Sequence, residues 1–155
     1  MKILYLIRHA HTPAGTPDEL RPLSELGERQ AAAMGKFILR PERIICSTAV
    51  RTRQTADLLA HQAGATKEVF QFDRRLYEST PDAYREVVGE MPDEVSIIWL
   101  VGHNWAITAI AQELSGDGRI QMTPCTVIKM VFETSGWSQL RAGNLKSAEA
   151  YSPEH

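Results

Sequence analysis

Five apolar residues in unbroken succession, Ile3-Leu4-Tyr5-Leu6-Ile7, run directly into Arg8 and His9 near the start of the chain. A short continuous apolar run bounded by polar residues predicts a strand buried on both faces, as in a parallel sheet covered by helices. Two later stretches share the design. Arg43-Ile44-Ile45-Cys46 leads into Ser47 and reaches Arg51, and Ser96-Ile97-Ile98-Trp99-Leu100-Val101 leads into Gly102-His103-Asn104. In open α/β sheets ligands bind beyond the carboxyl ends of the strands. Three such strands would therefore gather two arginines and two histidines along one sheet edge, a pocket for an anion.

The charge balance makes that attraction local. The chain has 155 residues and a formal net charge of −2, so no whole-molecule field favours nucleic acid or an anionic membrane. The length suits a single domain spanning residues 1–155. No apolar stretch is long enough to cross a bilayer, and Met1-Lys2 opens into a run too short for a secretory signal. Cys46 and Cys125 are far apart and form no C-x-x-C pair, which fits a reduced, cytoplasmic protein.

Between the strands the pattern is helical. Two prolines and a glycine across Thr12–Asp18 predict a loop, and Ser24 predicts an N-cap for a helix with Leu26, Met34, Phe37 and Ile38 on its apolar face and Gln30 turned elsewhere. Gly27 in its first turn costs about 1 kcal/mol against alanine, a cost that close approach to another backbone would explain. A second helix is expected from about Thr48 or Ala49 to His61, with Gly64 as C-cap. Glu68–Asp73 reads as a short strand and Arg74–Ser79 as a loop. A helix capped by Ser79 or Thr80 then has Pro81 in its first turn. Another, closed by Ser115-Gly116, takes Asn104 as a cap and Trp105 as a core aromatic. Alternation over Val127–Glu133, with Trp137–Arg141 as partner, predicts an antiparallel hairpin, and residues 144–155 read as a frayed terminus.

Five stretches, in order, resemble the histidine phosphatase, or phosphoglycerate mutase-like, superfamily. They are Leu6-Ile7-Arg8-His9-Ala10-His11-Thr12, Pro22 to Ala31, Ser47 to Ala56 with Arg51 and Gln54-Thr55-Ala56, Leu76-Tyr77-Glu78, and Val101-Gly102-His103-Asn104. The resemblance implies a three-layer α/β/α fold with a mostly parallel central sheet, here followed by the C-terminal antiparallel hairpin. It implies His9 as nucleophile, Arg8, Arg51 and His103 as phosphate ligands, and Glu78 as the proton donor that later activates water. Arginine forks suit tetrahedral oxyanions, and neutral imidazole is nucleophilic near neutral pH without a separate base. With two arginines and a charged His103 around the phosphate, no metal or other cofactor is needed. Thr12 could donate to phosphate or merely brace a turn.

Two positions depart from the usual pattern. Ala10 replaces glycine, which matters if the backbone there needs a positive φ. His11 replaces glutamate, and with His9 and His103 it raises a metal site as an alternative, which no cluster of Cys, Asp or Glu completes. Short spacings from Arg51 to Glu78 and from Glu78 to His103 leave little material for a lid. That resembles the small SixA-type subgroup, whose implied partner is a phosphohistidine protein, or small phosphatases of phosphorylated metabolites. Arg21, Arg53, Arg74 and Arg75 are candidates for an anion-selecting rim. The expected function is a metal-independent phosphatase working through phosphohistidine. The alternatives are a phosphoglycerate-type mutase, which would need a closed site, and a phosphate- or phosphoprotein-binding module without turnover.

Overall fold

In the computed structural model, which describes residues 1–78 and 80–153, the apolar runs form the centre of a six-stranded sheet. Strands β1 (Lys2–Arg8), β2 (Arg43–Cys46), β3 (Phe70–Phe72) and β4 (Ile97–Gly102) are parallel, while β5 (Val127–Phe132) and β6 (Leu145–Tyr151) complete the edge as an antiparallel pair. The spatial order is β3-β2-β4-β1-β5-β6. Because side chains alternate along a strand, β1 feeds both faces. Leu4 and Leu6 pack with Ile98, Leu100, Ile128 and Met130 on one side, and Tyr5 and Ile7 pack with Ile44, Trp99, Val101 and Val127 on the other. Unbroken apolarity in β1 and β4 is thus the signature of a sheet covered twice. Helices α1 (Glu25–Met34) and α2 (Val50–Ala63) contribute to one layer, and α4 (Pro81–Gly89) and α5 (Ala106–Ser115) to the other.

The expected punctuation holds except at Asn104, which does not cap α5: the helix has no side-chain cap, and the Asn104 amide donates to the Met122 carbonyl at 3.3 Å instead. Ser24 Oγ accepts the Gly27 N–H at 3.0 Å, Thr80 Oγ1 accepts the Ala83 N–H at 3.2 Å, and Gly64 and Gly116 close α2 and α5 at φ 76° and 71°. Ser79, the other cap candidate, lies outside the described residues. A Cβ on Gly27 would stand 2.1 Å from the His11 carbonyl oxygen, the close backbone approach expected of it.

Four expectations are corrected. Arg75–Glu78 is not loop but a one-turn helix, α3, started by Asp73, whose carboxylate accepts the Arg75 N–H at 2.9 Å. Trp137–Arg141 is not the partner of β5. Its Trp137 indole donates to the Val95 carbonyl at 2.8 Å inside the core, which pins that segment as a turn. The partner is β6, in the stretch read as frayed. With Ser147 to Ala150 exposed, β6 has no apolar alternation, and backbone pairing to β5 defines it. Finally, Gln30, expected off the buried face of α1, is 2% exposed on it, and its Oε1 accepts the His11 N–H at 2.9 Å.

Candidate active site

Strand register brings the signature residues to one edge. Arg8 stands opposite Gly102, and Cys46 opposite Val101. The ladder continues past the strand ends, with the His9 N–H donating to the Gly102 carbonyl and the Ser47 N–H to the Val101 carbonyl, both at 3.1 Å. Arg51 enters from the first turn of α2. The result is a cleft of about 370 Å³ lined by Arg8, His9, Arg51 and His103, with His11, Thr12, Arg21, Asn104 and Pro124 around them.

His9 is 8% exposed, and its Nδ1 lies 2.8 Å from the Ala10 carbonyl oxygen. A carbonyl only accepts, so Nδ1 carries the proton and Nε2 keeps the lone pair. Burial first, then the Arg51 and Arg8 charges, push the His9 pKa down to about 4, so the ring is neutral at pH 7. His103 is 5% exposed, its ring centre 5.3 Å from that of His9. Burial, then His9 and Arg51, push its pKa down to about 3. The positive charge of the cleft then belongs to the arginines.

Each arginine is held from behind. Arg8 Nη1 donates to the Met122 carbonyl at 2.8 Å. Arg51 donates from Nη1 to the Asp18 carbonyl at 2.9 Å and from Nη2 to Asp18 Oδ2 at 3.1 Å. The same carboxylate oxygen accepts Tyr77 Oη at 2.7 Å, and Arg21 pairs with Oδ1 at 2.9 Å. The Tyr77 bond, then Arg51, holds the Asp18 pKa down to about 2. Among the described residues, three buried side-chain nitrogens or oxygens have no hydrogen-bond partner: Arg8 Nε, Arg51 Nε and His103 Nδ1. All three belong to residues that line this cleft. Leaving a buried donor unpaired costs about 1–3 kcal/mol, and an acceptor in the cleft removes that cost.

The remaining signature residues act behind the cleft. Thr55 Oγ1 accepts the Ala10 N–H at 3.0 Å and donates to the Arg51 carbonyl at 2.8 Å, tying the first signature to the second. Gln54 Oε1 accepts the Leu23 N–H at 2.8 Å. Ala10 is buried and is not among the positive-φ residues, so small size is what its position demands. Cys125 does sit at φ 62°, and its N–H is shared between the Arg8 and His9 carbonyls at 3.1 and 3.0 Å. Nothing in its local sequence signals that role, nor those of Asp18 and Tyr77, because each is a contact across the fold.

Thr12 lines the cleft, but its hydroxyl donates to the Pro22 carbonyl at 2.6 Å, the turn-bracing geometry. His11 Nδ1 is 2.7 Å from Ser24 Oγ at the start of α1. Glu78 does not line the cleft. Its side chain is 71% exposed and lies 3.8 Å from Arg74 Nε. Of the rim arginines, only Arg21 lines the cleft. Arg74 pairs with Glu19 at 3.0 Å, Arg75 with Asp73 and Glu90, and Arg53 lies over the Phe72 ring. Trp105, expected in the core, is 74% exposed next to Asn104, because α5 begins at Ala106 and presents Ile107, Ile110 and Ala111 inward instead. Among the described residues no group of three or more His, Cys, Asp or Glu is placed to hold a metal ion, and no helix is long and apolar enough to cross a membrane.

The fold is an α/β one with an arginine- and histidine-lined cleft at the carboxyl edge of its parallel strands. The family model of the histidine phosphatase superfamily (branch 1) matches residues 4–85. The chain belongs to that superfamily and is a phosphatase. Over 159 residues it is 33% identical to an uncharacterised protein of Mycobacterium leprae (strain TN), covering 96% of this chain and 95% of the relative. Its fold matches a protein of Nakamurella multipartitia named for the phosphohistidine phosphatase SixA, with a TM-score of 0.83 and 25% identity over 98% of this chain and 96% of the other. It also matches the protein histidine phosphatase SixA complexed with tungstate, with a TM-score of 0.76 over 97% of each chain. At 16% identity, that likeness is one of fold.

Proposed function

We propose that this phosphatase works without a metal ion through a phosphohistidine on His9. Its substrate class is a phosphoryl group presented by a protein histidine or by a small phosphorylated metabolite. The observation that carries the reading is the convergence of Arg8, Arg51 and His103, each with a buried side-chain nitrogen that has no hydrogen-bond partner, on one cleft together with His9, whose pKa burial pushes down to about 4. His9 Nε2 attacks phosphorus, and the bond from phosphorus to the leaving oxygen or nitrogen breaks as the leaving group takes a proton. Water then attacks the phosphohistidine, releasing inorganic phosphate and restoring the imidazole. Charge spread over the equatorial oxygens is met by the two guanidinium groups.

In-line displacement puts the leaving group opposite His9. The reading gives Glu78 the proton-transfer role there. It follows Tyr77, whose ring meets that of His103 edge-on at 5.7 Å, and it accounts for a carboxylate that stands outside the cleft. Among the described residues a 3₁₀ turn (Lys67–Val69), β3, α3 and α4 lie between α2 and β4, and no inserted domain is among them. An open mouth favours hydrolysis over mutase chemistry, since a mutase must shield its intermediate from water. It also favours a phosphoryl group carried on a protein. The SixA-named fold neighbour supports the same preference.

The test is release of inorganic phosphate from p-nitrophenyl phosphate in EDTA. Wild type should turn over, and His9→Ala should fall to background. Wild type that binds vanadate but releases nothing would make the chain a binding module instead.

A further inference from the structure

A neutral imidazole presents either a proton or a lone pair to a phosphoryl oxygen, and the two have opposite effects. Which one it presents is set by the partner of the other ring nitrogen. For His103 that partner is Ser47, whose Oγ lies 2.7 Å from Nε2, and Ser47 has no exposed surface. The hydroxyl has one proton to give. It already accepts the Ala49 N–H at 3.4 Å, and no carbonyl or carboxylate takes its proton among the described residues. The hydroxyl proton is therefore directed at His103 Nε2. The ring's own proton then sits on Nδ1, the nitrogen left without a partner, on a residue that lines the cleft. Two further contacts hold the residue in place. Tyr84 Oη accepts the His103 N–H at 2.9 Å, and the Tyr77 ring meets the imidazole edge-on.

We propose that Ser47 is a positioning residue that sets His103 as a neutral donor, through Nδ1–H, to the bound phosphoryl group. This rests on the reading that the cleft binds such a group. The charged and titratable neighbours of the ring are Arg51, Asp18, Arg21 and His9. With His9 and His103 both neutral, the cleft's fixed positive charge comes from guanidinium groups alone, which do not titrate in the working range. A serine directly after β2 is what this requires. Its hydroxyl lies one hydrogen bond from the first residue after β4, because those two strands are neighbours in the sheet.

The test is ¹⁵N NMR of histidine-labelled enzyme saturated with inorganic phosphate at neutral pH, with the His103 signals assigned by their loss in His103→Asn. The expected spectrum has a protonated Nδ1 and a lone-pair Nε2. In Ser47→Ala the proton should spread onto Nε2, and kcat on p-nitrophenyl phosphate should fall about tenfold or more, as when an oxyanion donor is misdirected. Ser47→Thr, which keeps the hydroxyl, should restore both the spectrum and most of the rate. A protonated Nε2 in the wild-type phosphate complex overturns the proposal, and that measurement needs no variant to fold. So does a Ser47→Ala enzyme with unchanged spectrum and unchanged kcat. Failure of the underlying reading looks different: wild type would bind no phosphate, or its turnover would survive His9→Ala.

Discussion

At the scale of single residues, the cleft separates positive charge from nucleophilicity. Arg8 and Arg51 are charged and held from behind by a carbonyl and by Asp18, while His9 and His103 are kept neutral by burial. In the proposed mechanism His9 can therefore attack without losing a proton first. Proton transfer to the leaving group is a separate task, and it should show in leaving-group dependence. Glu78→Gln is expected to slow hydrolysis of phenyl phosphate by about 10²–10⁴-fold. p-Nitrophenyl phosphate, whose leaving group departs without a proton, should lose far less. Parallel kinetics on the two esters decide the matter, and an equal loss on both removes Glu78 from the proton-transfer step.

At the scale of elements, the loop after β1 is shaped by the helix that follows it. Ser24 caps α1 and contacts His11, Gln30 accepts the His11 N–H, and Gly27 lets the first turn lie against the His11 carbonyl. Alanine at Gly27 would gain about 1 kcal/mol in helix propensity. Its Cβ, however, would stand 2.1 Å from a backbone oxygen that has little room to retreat. Overpacking of this kind typically costs about 1–3 kcal/mol. Gly27→Ala should thus lower the urea midpoint and also depress kcat/KM, since His11 is two residues from His9, the proposed nucleophile. A variant with wild-type stability and wild-type turnover would show that the loop is not seated by α1.

At the scale of the whole molecule, two buried neutral histidines link stability to pH. Their folded pKa values, about 4 and about 3, lie below the ordinary value of 6.5. Below pH 6.5 the unfolded chain takes up protons that the folded chain refuses, so stability falls as pH falls from about 6.5 towards 4. Asp18 adds to the loss only lower, between its ordinary 3.8 and about 2. Thermal melts across this range should show a declining midpoint, and His103→Asn should flatten the decline. A midpoint independent of pH between 6.5 and 4 would mean that the histidines are not buried neutral.

The apolar runs of β1, β2 and β4, each passing into Arg, His or Ser, were legible along the chain because burial on both faces demands continuous apolar residues and because cap chemistry is local. So were Ser24, Gly64 and Pro81, which act within a turn of their own position. The tertiary structure alone decided what depends on distant partners: Asp18 and Tyr77 behind Arg51, Cys125 bracing Arg8 and His9, Trp105 in solvent, and Leu145–Tyr151 as a strand. It also decided that burial pushes the His103 pKa down to about 3, since desolvation is a property of the packed interior and cannot be read from neighbours in sequence.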